Sequence, residues 1–181
     1  MNERILYVLL PSSLEDYKKV GIEKRVIREI EFLAEKSSGV DLISADNTKW
    51  DLKDVNHYLI PYNIDRSTKV YLMMAFGWLF YLRLIIRNKY LFSRYAHGVF
   101  VLWPARILFK EIKLWYPWSI YVQQNDKGYL RKLFNLFIEL FSFNVASSIL
   151  SYPAKVKERI MKLSFKKQII DFPNYIDTEV F

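Results

Sequence analysis

Residues 4–45 read RILYVLLPSSLEDYKKVGIEKRVIREIEFLAEKSSGVDLISA, and this stretch decides the fold class. Its first part, Arg4–Leu10, is a nearly continuous apolar run, which predicts a strand buried on both faces. A polar loop closed by Gly21 precedes a segment whose apolar residues recur at spacings of three and four, typical of an amphipathic helix. Val40–Ala45 predicts a second strand. A strand, a helix and a strand within about forty residues form a βαβ unit, which implies a parallel sheet.

The same alternation continues along the rest of the chain. Further strands are predicted at Val55–Pro61, Gly98–Trp103, Trp118–Gln124, Ser147–Tyr152 and Lys167–Phe172. Further helices are predicted from Ser67 as the cap to Phe92, from Pro104 to Trp115, over Tyr129–Ala146 and over Pro153–Leu163. The chain is therefore predicted to be an α/β protein: a Rossmann-like parallel sheet of about seven strands with helices on both faces.

Composition favours a globular core and excludes several kinds of site. Of the 181 residues, 52% are hydrophobic and 17% aromatic, enough for the core of one ordinary domain. The chain contains no cysteine, which excludes a disulfide scaffold and thiolate metal ligands. Its two histidines, His57 and His97, are too few for a multi-histidine metal site and are interpreted as structural. The sequence has no signature motif of serine hydrolases, zinc metalloproteases or P-loop NTPases.

The charge of the chain favours anionic partners. The formal net charge is +8 and the sequence pI is near 9.5, which suits nucleic acid, an anionic membrane surface or phosphorylated substrates. No nucleic-acid-binding motif accompanies this charge, so specific nucleic-acid recognition is not expected. Residues 66–94 contain six basic and no acidic residues within an unusually apolar segment. A solvated basic surface and a membrane-facing surface both account for that pattern.

The apolar part of this segment raises the question of a membrane. Val70–Leu82 has thirteen residues without a charge, whereas a membrane-spanning helix needs roughly 20. A helix packed in the core and a helix at the membrane interface both remain open. The interfacial alternative places four side chains toward the membrane: Arg83, Arg87, Lys89 and Trp78. The start of the chain does not have the pattern of a secretory signal. We therefore expect a cytoplasmic location, peripheral on the membrane in the interfacial alternative.

Three loops carry candidate binding side chains, because ligands of open parallel sheets bind at the carboxyl ends of the strands. In the first, Gly21 and its neighbour Lys19 precede a helix whose amides could bind a phosphate, although an ordinary helix-starting glycine explains the loop equally well. In the second, Arg106 either contacts a phosphate or lies in solvent. In the third, Gln123–Asp126 offers amide and carboxylate groups for a hydroxyl-rich ligand, or forms a turn.

Three segments carry a resemblance to a known family. IEKRVIREIEFLAEKSSGVDLISA (residues 22–45) resembles the family's first helix, turn and second strand. FNVASSILSYPAKVKERIMKL (residues 143–163) resembles a stretch usually written ad-x-vi-x-x-S-x-x-x-x-x-x-l. IIDFPNYIDTEVF (residues 169–181) resembles i-x-v-i-P-N-G-v-D-x-x-x-F, with Pro173, Asn174, Asp177 and Phe181 in register. Together they resemble the N-terminal half of a family 4 glycosyltransferase of the GT-B fold.

The resemblance implies a function for this half. Residues 1–172 would be the acceptor-side Rossmann-like domain, and residues 173–181 would begin the linker to a C-terminal, donor-binding domain that this chain does not contain. Such enzymes transfer a sugar, often a hexose, from a nucleotide-sugar donor with retention of anomeric configuration. The resemblance implies no cofactor in this domain, a sugar or lipid-linked acceptor, and no activity of this half alone. Asn174 and Arg106, with Gly21, Lys19 and Gln123, are then candidates for donor-phosphate or acceptor binding.

Two departures from the family concern the site. Many relatives have a histidine after the fifth strand, where this sequence has Gln124, Asn125 and Asp126 as catalytic candidates. An amide can bind sugar hydroxyls but cannot perform the acid–base chemistry of histidine. The first loop also has one glycine, Gly21, where relatives often have two. The alternative function is a non-catalytic binding or scaffold domain that presents a basic aromatic face to an anionic membrane or a partner protein.

Overall fold

The apolar runs of the sequence form the strands of one parallel sheet in a computed structural model, which describes residues 3–59, 65–115, 128–151, 154–163 and 168–171. The strands are β1 (Ile5–Val8), β2 (Val40–Ile43), β3 (Val55–Tyr58), β4 (Tyr90–Ser93), β5 (Ile112–Trp115), β6 (Ser148–Ser151) and β7 (Gln168–Asp171). Their order is β3-β2-β1-β4-β5-β6-β7, and every neighbouring pair is parallel. The predicted α/β class and seven-stranded sheet are confirmed.

Helices cover both faces of this sheet. They are α1 (Leu14–Lys19), α2 (Glu23–Glu35), α3 (Arg66–Phe80), α4 (Leu82–Arg87), α5 (Ala96–Leu102), α6 (Tyr129–Val145) and α7 (Ala154–Leu163), with a short 3₁₀ helix at Trp103–Arg106. On one face, α1 and α2 pack in a core with the side chains of Tyr7, Leu9 and Leu42. On the other face, a larger core joins α3, α4, α5, α6 and α7 to Leu6, Val8 and Leu114. The two cores follow from strands whose successive side chains point to opposite faces.

The predicted strand at Gly98–Trp103 is wrong, because most of these residues form helix α5. Helix α5 lies against the sheet with α3 on one side and α6 on the other, so Gly98, Val99 and Val101 are all buried. A helix buried on all sides has the same uniform apolar pattern as a buried strand. The fourth strand is instead Tyr90–Ser93, which was predicted as the end of a long helix.

The predicted helix from Pro104 to Trp115 is also wrong. Only one 3₁₀ turn forms there, and Ile112–Trp115 is strand β5, with Ile112, Leu114 and Trp115 buried. The strand predicted at Trp118–Gln124 lies outside the described residues. Because most of Gly98–Trp103 is helical and Ile112–Trp115 is a strand, the turn between them lies at the opposite edge of the sheet from the predicted one.

The first polar loop contains a helix that the sequence analysis did not predict. Residues 14–19 form α1, which begins at the N-cap Ser13. Ser13 and Asp16 form a capping box, in which Ser13 Oγ accepts from the Asp16 N–H and the Asp16 carboxylate accepts from the Ser13 N–H at 2.8 Å. At α3, the cap is Asp65, whose carboxylate accepts from the Thr68 N–H at 2.9 Å, in place of the predicted Ser67.

Candidate functional site

The carboxyl ends of β1, β2, β3 and β4 meet at one edge of the sheet, which we call the carboxyl edge. The polar residues there lie just before or after the strand ends: Ser13 beyond β1, Asp46 beyond β2, His57 within β3 and Arg94 beyond β4. All four are buried. Because buried polar groups are held by hydrogen bonds, their partners define how rigid this edge is.

Asp46 joins the loop after β2 to the start of α1. Its carboxylate oxygens accept from the backbone N–H groups of Leu14 at 3.0 Å and Glu15 at 2.9 Å. Two of the N–H groups that the first turn of a helix leaves without partners are therefore occupied. The side chain is only 1% exposed, so this negative charge is held inside the protein at the helix N-terminus. An external phosphate would have to displace Asp46 to bind these amides.

A hydrogen-bonded chain extends from Asp46 to His57. The Trp50 N–H donates to His57 Nδ1 at 2.9 Å, so the neutral ring carries its proton on Nε2 and donates to Ser44 Oγ at 2.7 Å. Ser44 Oγ in turn donates to Asp46 at 2.5 Å. Burial lowers the pKa of His57 below its ordinary value, with the negative charge of Asp46 opposing the shift and Lys49 adding to it. The histidine is therefore neutral, as this tautomer requires.

This hydrogen-bonded chain contains the serine, histidine and aspartate found in a nucleophilic triad. The order of its hydrogen bonds, however, does not support nucleophilic catalysis. The hydroxyl of Ser44 donates to a carboxylate and accepts from the histidine, so His57 cannot remove its proton. What the arrangement does is fix the loop after β2 against β3 and α1. The interpretation of His57 as a structural residue agrees with these contacts.

Arg94 forms a second polar centre where β4 ends. Its guanidinium donates to the Tyr7 hydroxyl at 2.9 Å and forms an ion pair with Glu29 of α2. The guanidinium carbon lies 3.9 Å from the centre of the Trp115 ring and 5.6 Å from the centre of the Tyr17 ring. Burial would lower the pKa of Arg94, but Tyr7 and Glu29 raise it well above its ordinary value. Arg94 is a permanent, enclosed cation at this edge.

Two further features concern the cations of the carboxyl edge. Arg94 Nε is buried and has no hydrogen-bond partner within the described part of the chain. Lys69, near the start of α3, is also buried, and its Nζ donates to Asn47 Oδ1 at 2.6 Å, one residue beyond Asp46. The edge thus combines two buried cations, Arg94 and Lys69, with the carboxylates of Asp46 and Glu29.

Gly21 and Lys19 lie at the C-terminal end of α1. Gly21 lies between α1 and α2 with φ of +73°, and its N–H donates to the Lys18 carbonyl at 3.1 Å. It ends α1 in the left-handed conformation that glycine adopts most easily. Lys19 is the exposed last residue of α1. Their role in phosphate binding stays a prediction, with the Gly21 amide already bonded within the protein.

Arg106 lies at the opposite edge of the sheet from Arg94. Its Nη1 donates to the hydroxyl of Ser147, the residue before β6, at 3.1 Å. The prediction that Arg106 follows the carboxyl end of a strand rested on Gly98–Trp103 being that strand. Since this segment is a helix running back along the sheet, Arg106 arrives where β5 and β6 begin, which we call the amino edge. The structure does not bring it together with the other candidates.

Several candidates lie outside the described residues: Gln123, Gln124, Asn125, Asp126 and Asn174. Strand β5 leads toward the first four, and Trp115, which stacks on Arg94, is the last described residue before them. Their proximity to the carboxyl edge stays a prediction from the order of the chain.

The four residues predicted to face a membrane occupy different environments. Trp78 is half-buried, packs edge-on against Trp103 and donates from Nε1 to the Ala75 carbonyl at 3.2 Å. Arg83, Arg87 and Lys89 are exposed, although Arg87 also pairs with Asp41 and Lys89 with Glu3. Among the described residues, no helix combines the length and hydropathy needed to cross a bilayer.

Sequence reasoning missed Asp46, Ser44 and Arg94 as residues of this edge. Asp46 had one available signal, since it is an acidic residue directly after a buried strand. Arg94 had no such signal in the sequence. Its partners Tyr7, Glu29 and Trp115 are distant in sequence, and their proximity can be inferred only once the order of the strands is known.

Comparison with known proteins identifies the fold. No protein-family model and no curated protein sequence matches the chain. Among solved structures, sucrose-phosphate synthase from Thermosynechococcus elongatus matches with a TM-score of 0.67 at 13% identity, over 99% of this chain and 50% of that one. A second structure from the same protein matches with a TM-score of 0.61 at 12% identity, over 97% of this chain and 92% of that one. This chain thus spans half the length of the first of these structures, and its fold matches half of a GT-B glycosyltransferase.

Proposed function

We propose that this chain is the acceptor-side domain of a glycosyltransferase that moves a sugar from a nucleotide-sugar donor to an acceptor. The observation that carries the proposal is the fold, which matches half of sucrose-phosphate synthase over 99% of the chain. A donor-binding domain following Phe181 would close over the carboxyl edge, where ligands of parallel sheets bind. The family 4 resemblance adds a retaining mechanism and a hexosyl donor to the proposal.

The described residues have positioning and electrostatic roles in this proposal. Asp46, Ser44 and His57 hold the loops around the cleft in one geometry, which lowers the cost of ordering them when a substrate binds. Arg94 and Lys69 supply positive charge near a diphosphate leaving group. Gln124 and its neighbours Asn125 and Asp126 would orient sugar hydroxyls, and Asn174 would contact the donor phosphates or the acceptor.

The proposal includes work at a cytoplasmic membrane surface, on an acceptor that is sugar or lipid-linked. The net charge of +8 supports it. So does α3, whose exposed side includes Tyr71, Phe76, Leu79 and Phe80 at 46–55% exposure. Basic residues follow at its C-terminal end, beginning with the exposed Arg83.

A ligand titration followed by ¹H–¹⁵N NMR tests where substrates bind. With UDP- and GDP-sugars and short oligosaccharides as probes, we expect weak binding, with amide shifts concentrated in residues 13–15, 44–47 and 93–95. The physical reason is that these amides surround the buried cations and strand ends. Arg94→Lys should weaken the response to the charged probes, because lysine cannot reproduce the planar stacking on Trp115. Shifts confined to the amino edge would contradict the proposal.

Enzyme activity gives the second part of the test. The chain Met1–Phe181 should release no nucleotide diphosphate from any of these donors. A longer product of the same gene, if its reading frame continues into a second Rossmann-like domain with a pair of glutamates, should transfer sugar with retention, as read from the anomeric proton. A natural protein that ends at Phe181 and still binds vesicles would instead favour the non-catalytic membrane or scaffold domain. Sugar transfer by residues 1–181 alone would overturn the domain assignment.

A further inference from the structure

The chain exposes an apolar tip directly after the 3₁₀ helix. Ile107, Leu108 and Phe109 are 65%, 43% and 96% exposed, respectively. The N–H of Phe109 donates to the Arg106 carbonyl and the N–H of Lys110 donates to the Ala105 carbonyl, so the tip is an ordered turn. Three consecutive exposed apolar side chains at an ordered turn are not explained by core packing.

Phe109 is also in a strained backbone conformation. Its φ is +55°, in the left-handed region that a helix-ending turn normally fills with glycine or asparagine. A phenylalanine there costs stability through its backbone and recovers almost none by burial. Glycine would serve the turn better, so the side chain of Phe109 points to a role outside folding.

Basic residues surround this tip at the amino edge. Helix α4 packs against the 3₁₀ helix and contributes the exposed Arg83, Ile86 and Arg87. Lys110 Nζ ties the tip to the end of α4, donating to the carbonyls of Ile85 at 2.8 Å and Asn88 at 2.7 Å. Phe109 also borders a surface groove that it shares with Arg87 and Lys89.

The charge balance of this surface favours an anionic partner. Arg106 is exposed beside the tip and donates to the neutral hydroxyl of Ser147. The acids nearby are Glu111, next to Lys110, Glu3, which pairs with Lys89, and the buried Asp41, which pairs with Arg87. We define the docking surface as Ile107–Phe109 and Ile86 together with Arg83, Arg87 and Arg106.

We propose that the docking surface binds a bilayer that contains anionic phospholipid. The apolar side chains of the tip would enter between the headgroups, and the guanidinium groups around them would contact lipid phosphates. Each cation near an anionic bilayer adds binding energy that salt screens, whereas the apolar insertion is not screened. This inference rests on the membrane association within the proposed function and adds, to the exposed side of α3, a contact surface at the amino edge.

Vesicle co-sedimentation of the chain tests the docking surface. The probes are vesicles of phosphatidylcholine alone and of phosphatidylcholine mixed with phosphatidylglycerol, at low and at high salt. We expect salt-sensitive binding to the mixed vesicles only. Phe109→Gly should weaken it about tenfold or more, and each of Arg83→Gln and Arg106→Gln about fivefold.

Two features of these variants separate docking from folding. Phe109→Gly relieves the strained φ, so it should unfold at the same or a higher urea concentration than the wild type while losing vesicle binding. The matched control is Phe32→Ser, which removes another exposed phenylalanine, on α2 at the other face of the sheet. It should bind the mixed vesicles like the wild type.

Several results would overturn the proposal. These are equal binding of Phe109→Gly and the wild type, equal binding to both kinds of vesicle, or a comparable loss in Phe32→Ser. No binding to either vesicle would also overturn it. In that case, a self-association seen by sedimentation velocity and lost in Phe109→Gly would reassign the surface to a second copy of the chain. The assay contains no sugar donor, so its failure leaves the sugar-transfer proposal standing, and failure of sugar transfer leaves the docking result standing.

Discussion

Asp46 is the residue on which the loops of the carboxyl edge converge. Its carboxylate accepts from two backbone amides of α1 and from Ser44, which continues the chain to His57. Removing a buried acceptor leaves each of these donors without its partner, and that cost exceeds the net gain from an average hydrogen bond. A single substitution should therefore disturb α1 and the loop after β2 together.

We expect Asp46→Ala to lower the free energy of unfolding by about 3 kcal/mol, because it leaves the buried N–H of Leu14 and the hydroxyl of Ser44 without acceptors. Urea unfolding followed by circular dichroism measures the change. The control is Asp51→Ala, at an exposed aspartate, which should change the free energy by less than about 0.5 kcal/mol. Equal effects of the two variants would show that the Asp46 bonds contribute nothing.

His97 makes the stability depend on pH. Burial lowers its pKa to about 4 from an ordinary 6.5, and its Nδ1 is buried with no hydrogen-bond partner in the described ranges. Between these two values the unfolded chain takes up a proton that the folded chain does not, so the free energy of unfolding falls as the pH falls through this window. Because one pKa unit corresponds to 1.36 kcal/mol, the loss from His97 is at most about 3 kcal/mol.

The variant His97→Gln isolates this contribution. Urea unfolding at pH 7 and pH 4.5 should show a smaller drop in stability for the variant than for the wild type. Part of the drop should remain, because burial also lowers the pKa of His57. An identical drop in both proteins would mean that His97 is protonated without cost in the folded state.

Among the elements, α5 depends most on a close contact with the sheet. A Cβ built on Gly98 would collide with Ser93 Oγ and would lie 2.9 Å from Val8 Cγ1, so the helix can approach β1 and β4 only without a side chain at this position. This approach places α5 between α3 and α6 and starts it directly after Arg94 and Tyr95. The packing of one helix therefore sets the position of the cation at the carboxyl edge.

We expect Gly98→Ala to destabilise the protein by about 1–3 kcal/mol through overpacking, despite the better helix propensity of alanine. The matched control is Gly128→Ala at the start of α6. Gly128 has φ of −49° and open space around its Cβ position, so this change should cost only the N-cap preference for glycine over alanine, about 0.5 kcal/mol. Thermal unfolding compares the two, and a neutral Gly98→Ala would show that α5 shifts freely.

The same helix marks the limit of prediction from sequence. Amphipathic helices such as α2 and α6 and strands such as β2 and β6 were predictable, because one pattern distinguishes a helix face and another a buried strand. Helix α5 is surrounded by apolar neighbours, so its sequence lost the period that identifies a helix. The short strand β4 was hidden because an apolar helical segment runs almost directly into it.

For the whole molecule, the sheet was easier to predict than the candidate site. Alternating strands and helices predicted the parallel sheet and hence which edge binds ligands. The side chains at that edge depend on the order of the strands, which puts Tyr7, Arg94 and Trp115 on neighbouring strands although they are distant in sequence. One misassigned element was enough to move Arg106 from one edge to the other.

If both proposals hold, the height of the sheet sets the distance between the bilayer and the proposed substrate site. Each strand has four residues, a length of about 13 Å, and the loops at both ends add to it. The docking surface lies at the amino edge of the sheet, and the proposed substrate site lies at the carboxyl edge. A bilayer bound at the amino edge would lie well away from a hydroxyl that reacts at the carboxyl edge. A lipid-anchored acceptor would then need several sugar units to reach the carboxyl edge. The height of the sheet would therefore favour long glycan chains over short ones as acceptors.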